Sequence, residues 1–382
     1  MQSKLPDVGT TIFTVMSQLA QQCNAINLSQ GFPSFNPDPA LVDRVTHHMQ
    51  NGANQYAPMS GAPELREAIA QKVHTVYDRR VDTVEQVTVT AGATEALFCA
   101  IMATVGPGDE VIIFDPAYDS YEPVIKLAGG ITRRVPLSVD EHHEFSMNWQ
   151  GFKDAITTRT RLVILNFPHN PTGAILAPND LELLAELLRD SNIYLLSDEV
   201  YEHIVFGDLD HQSVLRHDEL WERSFIVSSF GKTCHVTGWK VGYCLAPSNL
   251  SAEFRKVHQF NCFAVVAPMQ RAFADHLTNK PEHYQILADF YENLRDTFAR
   301  LMEPSGFTLL PARSTFFQIA DYSAISKEVD TDFSQRLTRE IGVASIPVSV
   351  FCEQPEDRQL LRFCFAKDTN TLEDAANRLC QL

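Results

Sequence analysis

Short apolar runs rich in β-branched residues recur along the first two thirds of the chain, separated by stretches whose apolar residues fall every third or fourth position. Val87–Thr90, Val111–Phe114, Leu162–Leu165, Tyr194–Leu196 and Phe225–Val227 read as strands buried on both faces. Pro63–Tyr77, Thr94–Val105 and Pro178–Arg189 read as amphipathic crossover helices. Strands alternating with helices predict an α/β fold built on a mostly parallel central sheet. A long helical stretch, Ser251–Arg300, is expected to lead from this large domain to a smaller α+β domain. The expected division is an N-terminal arm and small-domain segment over residues 1–45, a large ligand-binding domain over 46–280, and a C-terminal small domain over 281–382.

Composition changes this picture only by exclusion. The chain has 382 residues, enough for two domains, and 48 acidic against 31 basic residues give a formal charge of −17. Such a balance argues against nucleic acid, whose recognition rests on clustered cations. No apolar run reaches the length of a membrane span, and no basic-then-apolar leader pattern opens the chain, so a cytoplasmic location without membrane partners is expected. Eight cysteines are present, none in a C-x-x-C or metal-ligand spacing, so free thiols and no metal site are expected. Cys234 reads as a packing residue.

In open α/β sheets, ligands sit at the carboxyl ends of the strands, so candidate chemistry is sought just after each run. Ser228–Tyr243 contains Lys232, with Ser229 three positions before it and Lys240 eight after it. An amine, a hydroxyl and a fixed cation there suit one phosphorylated aldehyde: the amine condenses with the carbonyl while the other two hold the dianion. Gly92-Ala93-Thr94 follows the Val87–Thr90 run and opens a helix, whose free N–H groups suit a phosphate. Arg362 alternates with apolar neighbours in Leu361–Phe365; a buried guanidinium needs an anion and can take a carboxylate in two parallel hydrogen bonds.

These segments together resemble the class I aminotransferases, pyridoxal-phosphate enzymes of fold type I. Ser228–Tyr243 is similar to the family's lysine signature, Asn166–Gly173 (N-F-P-H-N-P-T-G) to its N-x-P-x-N-P-T-G segment, and Asp198–Tyr201 to its D-E-x-Y segment. The likeness runs from Asn27 to Arg362. It implies pyridoxal 5'-phosphate bound through Lys232, with Ala93, Thr94, Ser229 and Lys240 at its phosphate. It further implies Asp198 at its ring nitrogen, Asn170 and Tyr201 at its phenolic oxygen, and Tyr118 stacked on its ring. Lys240 stands where the family commonly has arginine, which keeps the charge and loses the planar fork.

Asn27–Pro33 (N-L-S-Q-G-F-P) resembles the corresponding segment of methionine and kynurenine aminotransferases. By that likeness Arg362 and Asn170 face the substrate carboxylate, Gly31 admits the substrate, and Phe13 walls an apolar side-chain pocket. Tyr56 would reach the phosphate of a neighbouring subunit, which implies a homodimer with shared sites. The activity implied is ping-pong transamination of an apolar or aromatic L-amino acid, methionine favoured, with a 2-oxo acid as acceptor. The alternative implied is kynurenine transamination with β-elimination from cysteine conjugates.

Overall fold

The structure is a computed structural model that describes residues 2–353 and 359–382. Its centre is a seven-stranded sheet. In chain order the strands are β1 (Val87–Thr90), β2 (Glu110–Asp115), β3 (Ile131–Pro136), β4 (Thr160–Asn166), β5 (Tyr194–Asp198), β6 (Ser224–Ser229) and β7 (Gly242–Leu245). Their spatial order is β1-β7-β6-β5-β4-β2-β3. All neighbours are parallel except β7, which runs antiparallel to both β1 and β6. The α/β expectation holds, and the five expected strands lie within β1, β2, β4, β5 and β6.

Alternate side chains of the strands enter two apolar layers, as the two-residue period of a strand requires. Val111, Ile113, Leu162, Ile164, Leu196 and Phe225 pack under the helix Gly92–Thr104. Ile112, Phe114, Val163, Leu165, Leu195 and Ile226 face the opposite layer, which includes Leu65, Ile69 and Val73 of the helix Pro63–Tyr77. That helix begins at Pro63, where a missing N–H costs nothing, and stops at Asp78, whose φ of 53° is left-handed. Register then decides the site. Asn166 pairs with Asp198, Asp198 with Val227, and Gly242 with both Ser229 and Thr90, so the ends of five strands converge on one edge.

The expected helical stretch over Ser251–Arg300 is helical and divided into four helices. It comprises Ser248–Asn261, Ala267–Asn279, the short Glu282–Gln285 and Leu287–Met302. Phe263 takes a left-handed φ of 67°, Pro268 lies in the first turn of the second helix, and Pro281 precedes the third. A proline lacks the N–H that would carry a helix through, so these residues start helices rather than extend one. Beyond them, Thr308–Leu309, Phe317–Asp321, Leu360–Cys364 and Ile346–Pro347 form a second, antiparallel sheet in that spatial order. It shares an aromatic-rich core with Leu28, Tyr291, Phe298 and Leu372. Near the N-terminus, Ile26–Asn27 runs parallel to Val343–Ala344, which brings the Asn27–Pro33 segment beside Arg362.

A buried polar node lies behind the convergent edge. Glu202 accepts hydrogen bonds from Lys72, Tyr77, Ser228 and Tyr243. Burial pushes the Glu202 carboxyl up, but the Lys72 charge, helped by His203, outweighs it and holds the group well below the usual carboxylate range. Its contribution is therefore present in full above the usual carboxylate range and is lost only in strong acid. Removing one partner of a buried ion pair leaves the other uncompensated. Glu202→Ala is expected to lower unfolding free energy at pH 7 by about 3–5 kcal/mol, read by urea denaturation; a loss under about 1 kcal/mol would show that Lys72 finds another partner.

Candidate active site

The convergent edge encloses a cleft of about 180 Å³ lined by Gly92, Ala93, Thr94, Tyr118, Asn170, Asp198, Tyr201, Ser229, Lys232 and Lys240, among others. Ser229 ends β6, and its hydroxyl accepts the Gly231 N–H at 3.2 Å to cap the short helix Phe230–Thr233 that carries Lys232. The Lys232 amine donates to the Gly31 carbonyl at 3.0 Å and lies 5.3 Å from the Tyr201 ring centre and 5.1 Å from that of Phe316. Burial is the main reason its pKa falls to about 8, with the Arg362 charge acting in the same direction.

Asp198 ends β5 and is buried. Desolvation raises its pKa to about 6, and the Tyr121 hydroxyl, donating to Oδ2 at 2.7 Å, holds that rise in check. Lys240, in the left-handed region at φ 53°, places Nζ 3.4 Å from the Thr94 hydroxyl. The helix Gly92–Thr104 begins at Ala91 with no side-chain cap, leaving its first N–H groups at the cleft. Gly242 has a packing reason to be glycine: a Cβ there would stand 2.7 Å from the Ser228 carbonyl oxygen and 2.9 Å from the Ala93 nitrogen.

Arg362 is fully buried on an inner strand of the second sheet. Its Nη1 donates to Asn170 Oδ1 and its Nη2 to the Ser29 carbonyl, each at 2.8 Å. Its Nε finds no hydrogen-bond partner among the described residues. The guanidinium lies 4.0 Å from the Phe317 ring centre and 5.2 Å from that of Phe13, whose ring is 6.4 Å from Tyr118. Gly31 is confined by the same aromatics, since a Cβ would meet Phe317 Cζ at 2.8 Å. Tyr56 is 85% exposed and stacks edge-on against Phe263 rather than entering the cleft of its own chain. A larger cavity of about 260 Å³ borders Asp115, Arg134 and Asp330, but Arg134 there is already paired with Asp115 and Glu122.

The family model for aminotransferase class I and II matches residues 24–379. The chain belongs to this family. As an aminotransferase it is 54% identical over 381 residues to the methionine aminotransferase of Escherichia coli K12, covering all of this chain and 98% of the relative. It is 33% identical over 410 residues to the kynurenine–oxoglutarate transaminase of Dictyostelium discoideum, covering 98% and 94%. The crystal structure of YbdL from Escherichia coli, whose reactivity identified a methionine aminotransferase function, superposes with a TM-score of 0.97 at 53% identity, covering 100% and 99% of the two chains.

Aminotransferases of this family depend on pyridoxal phosphate, and the residues of this cleft fit it. One end offers donors for a dianion: uncapped helix N–H groups, the Ser229 hydroxyl and the Lys240 ammonium. The other offers a desolvated carboxylate, with a low-pKa amine on the same wall.

Four residues at this site lay outside the sequence reading. Tyr121 orients Asp198, Phe316 and Phe317 surround Lys232 and Arg362, and Phe351 lies 5.8 Å from the Arg362 guanidinium. Tyr121 carried a usable signal, three residues after Tyr118 and opening a helix.

Asp198 also yields a stability prediction. With its folded pKa raised to about 6, its contribution is present below the ordinary carboxylate pKa and is lost as pH rises through about 6. In cofactor-free protein at pH 7.5, Asp198→Asn is expected to raise unfolding free energy by about 2–3 kcal/mol, at 1.36 kcal/mol per pKa unit. The gain should shrink toward pH 4 in denaturant titrations, and an unchanged or lowered stability at pH 7.5 would contradict the desolvation account.

Proposed function

We propose that this aminotransferase takes apolar or aromatic L-amino acids, with methionine the favoured donor, and passes the amino group to a 2-oxo acid by a ping-pong exchange. The observation that carries this reading is Arg362: a buried cation with unused donors, set among Phe13, Phe317 and Phe351. Of five guanidinium N–H groups, the described partners use Nη1 and Nη2 once each, which leaves capacity for a carboxylate. The aromatic walls favour an apolar side chain beside that carboxylate and disfavour a second charge. The 54% identity to a methionine aminotransferase supports the same donor.

Bound pyridoxal phosphate supplies an electrophilic aldehyde carbon and a cationic ring that accepts the electron pair left at the substrate α-carbon. The chain's own groups do the rest. Ala93, Thr94, Ser229 and Lys240 would hold the phosphate, Tyr118 would cover the ring, and Asn170 and Tyr201 would serve the phenolic oxygen. Asp198, ionised at neutral pH, would keep the ring nitrogen protonated, with the Tyr121 hydroxyl holding that carboxylate in place. Lys232 is the nucleophile and then the acid/base at the α-carbon. A pKa of about 8 leaves roughly a tenth of the amine neutral at pH 7, which a proton acceptor needs.

The exposed Tyr56, its neighbour Phe263 and the 87% exposed Phe260 support a subunit contact through which Tyr56 reaches a second chain's phosphate site. The unit proposed is a homodimer. No described helix is long and apolar enough to cross a membrane, and all eight cysteines are free, which supports a cytoplasmic location.

The deciding experiment is the absorption spectrum of the purified holoenzyme before and after L-methionine, without a 2-oxo acid. Methionine should discharge the visible band of the lysine-bound cofactor, and 2-oxoglutarate or a 2-oxo analogue of methionine should restore it. A band that ignores methionine yet responds to kynurenine or phenylalanine would transfer the assignment to those donors. Lys232→Ala is expected to lower kcat by about 10⁴-fold while the phosphate contacts still retain cofactor. Arg362→Gln should lower kcat/KM for the amino donor by about 10- to 100-fold, the worth of hydrogen bonds to a charged group. Near-wild-type rates in either variant would refute the role given to that residue.

A further inference from the structure

Among the described residues, two clusters of metal-ligating side chains lie outside the cleft lining, and they differ in how fully their atoms are used. In Glu95–Cys99–His258 every polar group is occupied: the Cys99 thiol and His258 Nδ1 meet Glu95, and His258 Nε2 meets the Met59 carbonyl. Nothing there requires an ion.

The second group is open. Cys234 Sγ and one nitrogen each of His276 and His283 lie within 4.8 Å of one another. Cys234 follows the short helix that carries Lys232, His276 lies in the last turn of Ala267–Asn279, and His283 lies in Glu282–Gln285. The His283 Nε2–H donates to the Thr233 carbonyl at 2.8 Å, so in the neutral ring Nδ1 carries the lone pair. A carbonyl that holds one imidazole nitrogen as N–H leaves the other nitrogen's lone pair available to a metal. His276 is 95% buried by its 5% exposure, and its Nε2 has no hydrogen-bond partner among the described residues.

We propose that Cys234, His276 and His283 form a binding site for a zinc-class divalent cation, with water as fourth ligand. One sulfur and two imidazoles are a donor set that zinc prefers, and hard oxygen-seeking cations do not. Tetrahedral bonds of about 2.0–2.3 Å place ligand atoms about 3.4–3.6 Å apart, so side-chain rotation of about 1 Å closes the cluster. Binding converts the Cys234 thiol to a thiolate and releases one proton to solvent. The cation joins three elements: the turn after Lys232, the end of Ala267–Asn279 and the start of the segment leading to the second sheet. It clamps the Lys232 segment from residues that have no part in the cofactor or substrate contacts. This differs from the sequence expectation of no metal site, because the three ligands are far apart in the chain and only the fold gathers them.

The test uses chelator-treated holoenzyme equilibrated with zinc chloride, gel-filtered and analysed for metal, beside Cys234→Ala, His276→Gln and His283→Gln. The wild type should retain one zinc per chain and gain thermal stability on zinc addition. Each variant should bind at least about tenfold more weakly and lose the zinc-dependent rise in Tm. His283→Gln keeps a donor for Thr233, and Cys234→Ala removes only a sulfur, so these two guard against misfolding as the cause. No retained zinc in the wild type, or equal retention in Cys234→Ala and His283→Gln, would overturn the proposal.

Discussion

Everything at the cleft depends on taking three ionisable groups out of water at one edge of the sheet. Desolvation lowers Lys232 to about 8, raises Asp198 to about 6 and lowers Arg362 to about 10. Each shift costs folding free energy, and each places a group in a form the proposed chemistry uses. Lys232 becomes partly neutral, Asp198 stays ionised but close to its pKa, and Arg362 stays cationic with spare donors. Exposed to solvent, the same residues would have ordinary pKa values and weak electrostatic effects.

Such a site needs rigid surroundings, and the fold supplies them from both sheets. The strand ends of the central sheet hold Asn166 beside Asp198, with Ser229 ending the next strand, while the second sheet brings Arg362 across with Phe317 beneath its guanidinium. Behind these strand ends, the Glu202 node ties the helix Pro63–Tyr77 to β6 and β7 through Lys72, Ser228 and Tyr243. The same elements that make the site are therefore cross-linked by buried polar contacts, whose geometry is less tolerant of drift than apolar packing.

The parts of the fold that were legible in the sequence were those with a strong period. β1 and the helix Pro63–Tyr77 were read with their observed ends, because a β-branched run and a proline start leave little freedom. β3 was missed because it is an edge strand of half-exposed residues, Ile-Thr-Arg-Arg-Val-Pro, that lacks a continuous apolar run. β7 was missed because its start lies inside the lysine motif, which reads as a loop. Of the site, the residues on motifs were legible: Lys232, Ser229 and Lys240 by their spacing, and Asp198 and Asn170 by family resemblance. Tyr121 and the aromatic pair Phe316–Phe317 were not, since their importance comes from whom they touch.

The sequence by itself determined the α/β alternation, the family and the identity of the groups that can do chemistry, because these rest on local periodicity and on residue types at short spacing. Only the tertiary structure decided which groups lose their water, which donors of Arg362 remain unused, and that Cys234 meets His276 and His283. Desolvation and convergence are properties of segments distant in the chain. No local pattern encodes them.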